Sequence, residues 1–120
     1  MKQLTVALVV LIALACIPCL ASAQSAEDYV KDGIESLEMA GELFLVYAVE
    51  AGYVWLEDAL DCFNWAIELN PEYAEAYYWR AECYAWLEDY QEEARNDYIT
   101  AARLDFKPAQ DYLTEKGIQW

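Results

Sequence analysis

The 120-residue sequence contains no histidine and only seven lysine and arginine residues, against 22 aspartate and glutamate residues. Histidine is the commonest general base and the commonest zinc ligand, so both kinds of site lack their usual residue. The shortage of cations also excludes nucleic acid as a direct partner, because a polyanion is bound by lysine and arginine side chains that displace its counterions. An anionic membrane surface is disfavoured for the same reason.

Glycine and proline are scarce, with four and three residues, and no stretch alternates strictly between polar and apolar residues. Disorder is nevertheless disfavoured, because five tryptophans, ten tyrosines and three phenylalanines all follow residue 23. A chain with so many large apolar side chains can bury enough surface to offset the entropy lost on folding. The composition therefore predicts one small folded domain.

Residues 1–23 differ from the rest of the chain and predict a signal peptide. Lys2 precedes an uninterrupted apolar run over residues 6–16, and Ala21-Ser22-Ala23 offers the small-x-small pattern that signal peptidase cleaves. We therefore expect export to a periplasm or to the outside of the cell, which would leave 97 residues with a net charge of −16. The alternative is an uncleaved membrane anchor, because the apolar stretch over residues 4–20 approaches the length of a spanning helix.

After residue 23 the apolar residues recur at helical spacing, which predicts an all-α fold. Ser25 is the expected N-cap of the first helix and Gly117 the expected C-cap of the last. The predicted helices lie near residues 26–40, 56–69, 74–87, 91–104 and 109–116. The apolar run over residues 43–54 has two interpretations: a sixth helix with a break near Gly52, which we favour, or one long helix over residues 42–69.

Two segments of the chain, residues 56–70 and 91–105, can be superposed at an offset of 35 residues. The superposition pairs Ala59 with Ala94, Phe63 with Tyr98, and Ala66 with Ala101. Small residues allow two helix axes to come close, and an aromatic residue between them fills the remaining gap. A period in the mid-thirties with this content predicts a stack of helical hairpins.

These positions resemble the tetratricopeptide repeat family, whose pattern is W-x2-L-G-x2-Y, then A-x3-F, then P. Ala59, Phe63 and Pro71 match the second half of the pattern in one unit. In the next unit the matching residues are Tyr77, Arg80-Ala81, Tyr84, Ala94 and Tyr98. Phe106 stands where this second unit would have its closing proline, which is a departure from the pattern. The resemblance covers about residues 26–108.

The resemblance implies an α-solenoid of about two repeats with flanking N- and C-terminal helices. The repeat-like domain would cover residues 24–108, and residues 109–120 would form a capping helix and tail. The residues expected to pack the repeats together are Ala59, Phe63, Ala66, Pro71, Tyr77, Ala81, Tyr84, Ala94, Tyr98 and Ala101.

The resemblance also implies a groove that holds a peptide or a helix of another protein. Glu75, Tyr78, Glu82 and Trp86 lie off the packing stripe of the helix over residues 74–87 and are the candidate protein-binding residues. Trp86 could instead pack on a neighbouring helix. Eleven acids and no lysine or arginine occur between positions 32 and 79, which favours a basic partner. The alternative is a solvated acidic face that keeps the protein soluble.

Cys62 and Cys83 are the two cysteines that would remain after export. An oxidising compartment favours their pairing as a disulfide. The alternative is a pair of buried, unreactive thiols. Neither cysteine is placed as a nucleophile, because no histidine exists to activate it.

No metal site or cofactor is expected, because no calcium-loop pattern occurs and acids spread along helices do not converge. A helical stack of under 100 residues also lacks the deep cleft that most enzymes use. The sequence therefore predicts an exported acidic module that binds a protein or peptide without catalysis. The alternative is a structural subunit that self-associates or packs into a larger cell-surface or periplasmic assembly.

Overall fold

The computed structural model describes residues 24–120, so the predicted signal peptide over residues 1–23 lies outside the described residues. The described chain contains helices and no strand, which confirms the all-α prediction. The elements are α1 Ala26–Leu45, α2 Val49–Leu69, α3 Ala74–Ala85, a 3-10 turn at Glu88–Tyr90, α4 Gln91–Arg103 and α5 Lys107–Glu115.

The predicted N-cap at Ser25 is confirmed, whereas the C-cap of the last helix is Lys116, one residue before the predicted Gly117. The Ser25 hydroxyl accepts a hydrogen bond from the Asp28 N–H at 3.2 Å, and the Ser25 N–H donates to the Asp28 carboxylate at 2.9 Å. This reciprocal pair satisfies two backbone donors at the start of α1. After α5, Gly117 has a φ of 68°, a left-handed conformation that glycine adopts at low cost just past a helix end.

Both interpretations of residues 43–54 are wrong, because the chain breaks at residues 46–48 rather than at Gly52. The run is divided between the last turn of α1 and the first turns of α2. Tyr47 has a φ of 62°, and the Ala48 N–H donates to the Leu43 carbonyl at 2.9 Å, which is the hydrogen bond of a Schellman helix end. Gly52 lies inside α2, where a Cβ would come within 2.6 Å of the Phe44 ring. Glycine at this position therefore serves close packing, not a turn.

The helices form two hairpins, with α1 against α2 and α3 against α4, and α5 packs on α4. One buried cluster around Phe63 joins α1, α2 and α3, and a second cluster around Tyr98 joins α3, α4 and α5. The predicted close-approach alanines are all buried: Ala59, Ala66, Ala94 and Ala101. Ala59 and Ala66 belong to the first cluster, and Ala94 and Ala101 belong to the second.

The other predicted packing residues differ in their exposure. Ala81 is buried, and Tyr77 and Tyr84 are half-buried against the second cluster. Pro71 is exposed, because it lies in the turn after α2 rather than between helices. Its carbonyl accepts a hydrogen bond from the Tyr77 hydroxyl at 2.8 Å. The expectation that the Pro71 side chain packs the repeats together is therefore corrected to a backbone contact.

Arg80 connects three helices. Its Nε and Nη2 donate to the two carboxylate oxygens of Asp97 on α4 at 2.7 and 2.8 Å, and its Nη1 donates to Asn64 on α2 at 2.9 Å. Burial acts to lower the pKa of Arg80, but the hydrogen bond and charge of Asp97 outweigh it and the pKa is raised. The arginine side chain therefore stays charged and joins the two hairpins.

Alkaline pH should destabilise the fold. Burial is the largest cause of a raised pKa at Tyr78, Tyr84, Tyr98 and Cys83. In the unfolded chain these groups lose their protons near the ordinary values of 10.0 and 9.0, whereas the folded chain holds them to higher pH. The free energy of unfolding should be unaffected by these groups below about pH 8 and should fall from about pH 9 upwards. Urea midpoints from circular dichroism between pH 7 and 11 measure this; a constant midpoint would contradict the burial.

Candidate protein-binding groove

A depression of about 630 Å³ lies between α1 and the start of α3. We call it the Tyr73 groove. Its lining consists of Glu27, Asp28, Val30, Lys31, Ile34, Glu35, Glu38, Tyr73 and Glu75. Five of these nine residues are acids and one is a lysine. A second depression of about 490 Å³ shares Glu27 and Tyr73 with it and extends towards the end of α2.

The groove combines an apolar floor with an acidic rim because of the spacing along α1. Glu27, Glu35 and Glu38 recur at intervals that keep them on one side of the helix, and all three are exposed. Val30 and Ile34 lie between them in the sequence and belong to or pack against the first buried cluster. The carboxylates therefore stand beside an apolar surface.

Tyr73 and Glu75 form the opposite wall of the groove. The Tyr73 hydroxyl donates to one Glu75 oxygen at 3.4 Å, and the Trp79 Nε1 donates to the other at 3.3 Å. Burial raises the pKa of Tyr73, and the carboxylates of Glu75 and Glu27 raise it further. Since carboxylates from α1 and α3 act on the same hydroxyl, the groove has a negative potential that favours a cation.

Asp28 adds a fixed negative charge at the end of the groove. Hydrogen bonds from the backbone N–H and the hydroxyl of Ser25 hold the pKa of Asp28 below its ordinary value, and Lys31 contributes in the same direction. The capping interaction therefore keeps this carboxylate ionised.

Two of the predicted binding residues, Tyr78 and Glu82 on α3, contact Tyr98 on α4, and Tyr78 also contacts Phe106 just before α5. The Tyr78 ring lies 5.7 Å from the Tyr98 ring and 5.2 Å from the Phe106 ring. The Glu82 carboxylate accepts a hydrogen bond from the Tyr98 hydroxyl at 2.7 Å. Both residues are only half-buried, and their contact with a partner stays a prediction.

The other two predicted residues lie in different places. Glu75 is part of the Tyr73 groove, whereas Trp86 stacks on Phe44 at 5.2 Å near the turn between α1 and α2. The four candidates therefore occupy three settings: the groove, the contact with α4 and α5, and the α1–α2 turn.

Sequence reasoning missed the α1 side of the groove. It selected residues on α3 alone, whereas the structure adds Glu27, Glu35 and Glu38 from α1 and Tyr73 from the turn before α3. The signal that could have found them was the spacing of acids along one face of the first helix.

Cys62 on α2 and Cys83 on α3 are both buried. Burial is the main cause of the raised pKa of the Cys83 thiol, followed by the charges of Glu82 and Cys62. The two cysteines are thus close enough for a charge on one to act on the other, and their pairing as a disulfide stays a prediction.

Within residues 24–120, no group of three or more histidine, cysteine, aspartate or glutamate side chains could hold a metal ion. None of the helices in this part of the chain has the length and apolar character needed to cross a membrane.

No protein-family model, curated protein or solved structure matches this chain. The resemblance to tetratricopeptide repeats therefore stays a prediction from the residues of this chain.

Proposed function

We propose that this protein is a tetratricopeptide-repeat-like interaction module that binds a lysine- or arginine-rich segment of another protein in the Tyr73 groove. The observation that carries the proposal is the lining of that groove, where five carboxylates and one ammonium group surround an apolar floor. The proposed module does not catalyse a reaction.

The groove has complementary surfaces for both parts of a basic side chain. The methylene stem of a lysine or arginine can lie on Ile34 and the Tyr73 ring, while its charged end reaches a carboxylate. An arginine placed over the tyrosine ring would add a cation–π contact. A segment with several such residues would use the carboxylates of α1 and α3 together.

Each exposed ion pair contributes little by itself, typically up to about 1 kcal/mol. Affinity therefore requires several cations in one segment, and binding should weaken as salt screens the charges. The acidic charge of the whole protein would speed the encounter with such a partner.

Export is part of the proposal, and it is supported by the order of residues 1–23: one cation, an apolar run and a cleavage pattern. Binding would then occur in a periplasm or outside the cell, where an acidic and compact module can meet other exported proteins.

The groove can be tested with a fluorescently labelled peptide that contains four lysine or arginine residues. Glu35→Gln/Glu38→Gln should weaken peptide binding by about tenfold, because it removes two rim carboxylates. The matched control is Glu57→Gln/Asp61→Asn on α2, which removes the same charge from exposed positions outside the groove lining. The control should change the affinity by less than about twofold.

Equal losses in the two variants would show that the peptide responds only to net charge, and the groove would then not be the binding site. A peptide of the same length with glutamate in place of the cations should not bind.

A structural subunit is the second candidate. It is favoured by a group of exposed large apolar side chains around the α1–α2 turn, which include Leu45, Val46 and Tyr47. Monomeric soluble proteins rarely expose a contiguous apolar surface of this kind without a use for it.

A further inference from the structure

We infer that the closed end of the first hairpin is an interface at which two copies of this chain associate. We call this surface the hairpin tip. It consists of the exposed apolar residues Leu45, Val46, Tyr47, Val49, Tyr53, Val54 and Trp86. The inference is independent of the proposed groove, since none of these residues lines it.

The tip exists because the two hairpins differ in length. α1 and α2 have 20 and 21 residues, whereas α3 and α4 have 12 and 13. At 1.5 Å per residue, the first hairpin is longer by roughly 12 Å. Its other end is joined to α3 through residues 70–73, so the excess length lies at the closed end around residues 46–48.

Two of the tip side chains, Tyr53 and Trp86, both contact the ring of Phe44. The Phe44 ring lies 5.2 Å from the Tyr53 ring and stacks at 5.2 Å on Trp86. Leu45 and Tyr47 are 80% and 91% exposed. Tyr47 also has a left-handed backbone, which is costly for a bulky residue. Internal packing does not account for an exposed aromatic side chain at a strained position.

The area of the tip matches the requirement of a dimer. The exposed fractions of its seven residues correspond to roughly 800 Å² of surface when applied to ordinary side-chain areas. A stable protein–protein interface takes about 800 Å² from each partner, and the largest apolar patch of a typical monomer covers about 300–600 Å². A two-fold contact that covered the whole of both tips would therefore reach a standard size.

Charge also favours a second copy at this place. Residues 43–54 carry one charge, on Glu50, whereas residues 24–120 carry a net charge of −16. Two such chains repel each other over most of their surfaces, and contact at the tips leaves the acidic parts of both molecules far apart. A lipid surface is disfavoured, because no lysine or arginine occurs between positions 32 and 79 to meet its phosphate groups.

The test is sedimentation equilibrium of the purified full chain, with intact mass recorded to show its N-terminus. We expect a dimer whose dissociation constant falls as salt rises, because screening reduces the repulsion. This salt response is opposite to the one expected for a basic peptide in the Tyr73 groove. Failure of the dimer inference can therefore be distinguished from failure of the proposal that the groove binds a basic peptide.

Leu45→Glu should weaken the dimer by about 100-fold or more, because it places a carboxylate from each copy in the interface. Val54→Glu should act in the same direction. The matched control is Leu69→Glu at the far end of α2, where the leucine is 58% exposed, and it should leave the dimer intact. Thermal melting should show that all three variants fold.

Three results would overturn the inference. The first is a parent protein that stays monomeric at low and high salt. The second is a control variant that dissociates as readily as Leu45→Glu. The third is a monomer that co-sediments with phosphatidylcholine vesicles through the tip, which would assign the surface to a membrane.

Discussion

Replacing Phe63 with alanine should lower the free energy of unfolding by about 3–5 kcal/mol. Phe63 is the largest fully buried side chain of the cluster that joins α1, α2 and α3. Its removal leaves a cavity that the surrounding helices can fill only in part. Urea titration followed by circular dichroism measures the loss. A decrease below about 1 kcal/mol would show that the first hairpin does not pack around this ring.

Gly33 packs against the Phe63 ring and provides a second test of this contact, with Gly41 as the control. A Cβ at Gly33 would lie 2.6 Å from the Phe63 ring, whereas nothing lies within 4 Å of a Cβ at Gly41 on the same helix. Gly41→Ala should therefore stabilise the protein by about 0.5–1 kcal/mol through helix propensity. Gly33→Ala should destabilise it, since overpacking costs about 1–3 kcal/mol. In the Phe63→Ala background, however, Gly33→Ala should no longer be destabilising.

Arg80→Met should lower the free energy of unfolding by about 2–4 kcal/mol. The substitution keeps a long apolar side chain but removes both hydrogen bonds to Asp97, which is only 7% exposed. The Asp97 carboxylate then remains charged and nearly buried, and it has lost its ion pair with Arg80. Chemical denaturation gives the loss directly.

The double variant Arg80→Met/Asp97→Leu separates the two parts of this effect. It removes the charge together with its partner, so it should recover most of the stability lost in the single variant. A double variant as unstable as Arg80→Met would mean that the arginine acts through its other contacts, with Asn64 and with the rings of Tyr77 and Tyr84.

Helical spacing and small residues could be interpreted from the sequence because both act locally. The positions of Ala59, Ala66, Ala94 and Ala101 were predictable, since a stripe of small residues around an aromatic residue has one use in paired helices. The cap at Ser25 was predictable for the same reason, because a serine followed by an acid three residues later satisfies backbone donors directly.

The break between α1 and α2 could not be predicted from local preference. Glycine is the usual residue for a left-handed helix end. The break was therefore predicted near Gly52. The structure instead uses Tyr47 there and uses Gly52 for contact with Phe44. Tertiary packing determines which of the two positions ends α1, and no short stretch of sequence indicates this packing.

The role of Arg80 and the site around Tyr73 also depend on contacts between distant parts of the chain. Arg80 occupies a position where the repeat pattern has leucine, and only its meeting with Asp97 explains a cation there. The Tyr73 groove forms because α1 and the start of α3 are adjacent in the fold. Sequence reasoning found the acidic charge of this region but not the place where the charge is concentrated.

The binding of a basic segment in the Tyr73 groove is tested most directly by mapping backbone amide chemical shifts during titration with the four-cation peptide. The proposal predicts that the largest shifts fall on residues 27–38 of α1 and on Tyr73–Glu75, and that they diminish at high salt. Shifts spread evenly over the exposed acids, or confined to the hairpin tip at residues 45–54, would contradict it.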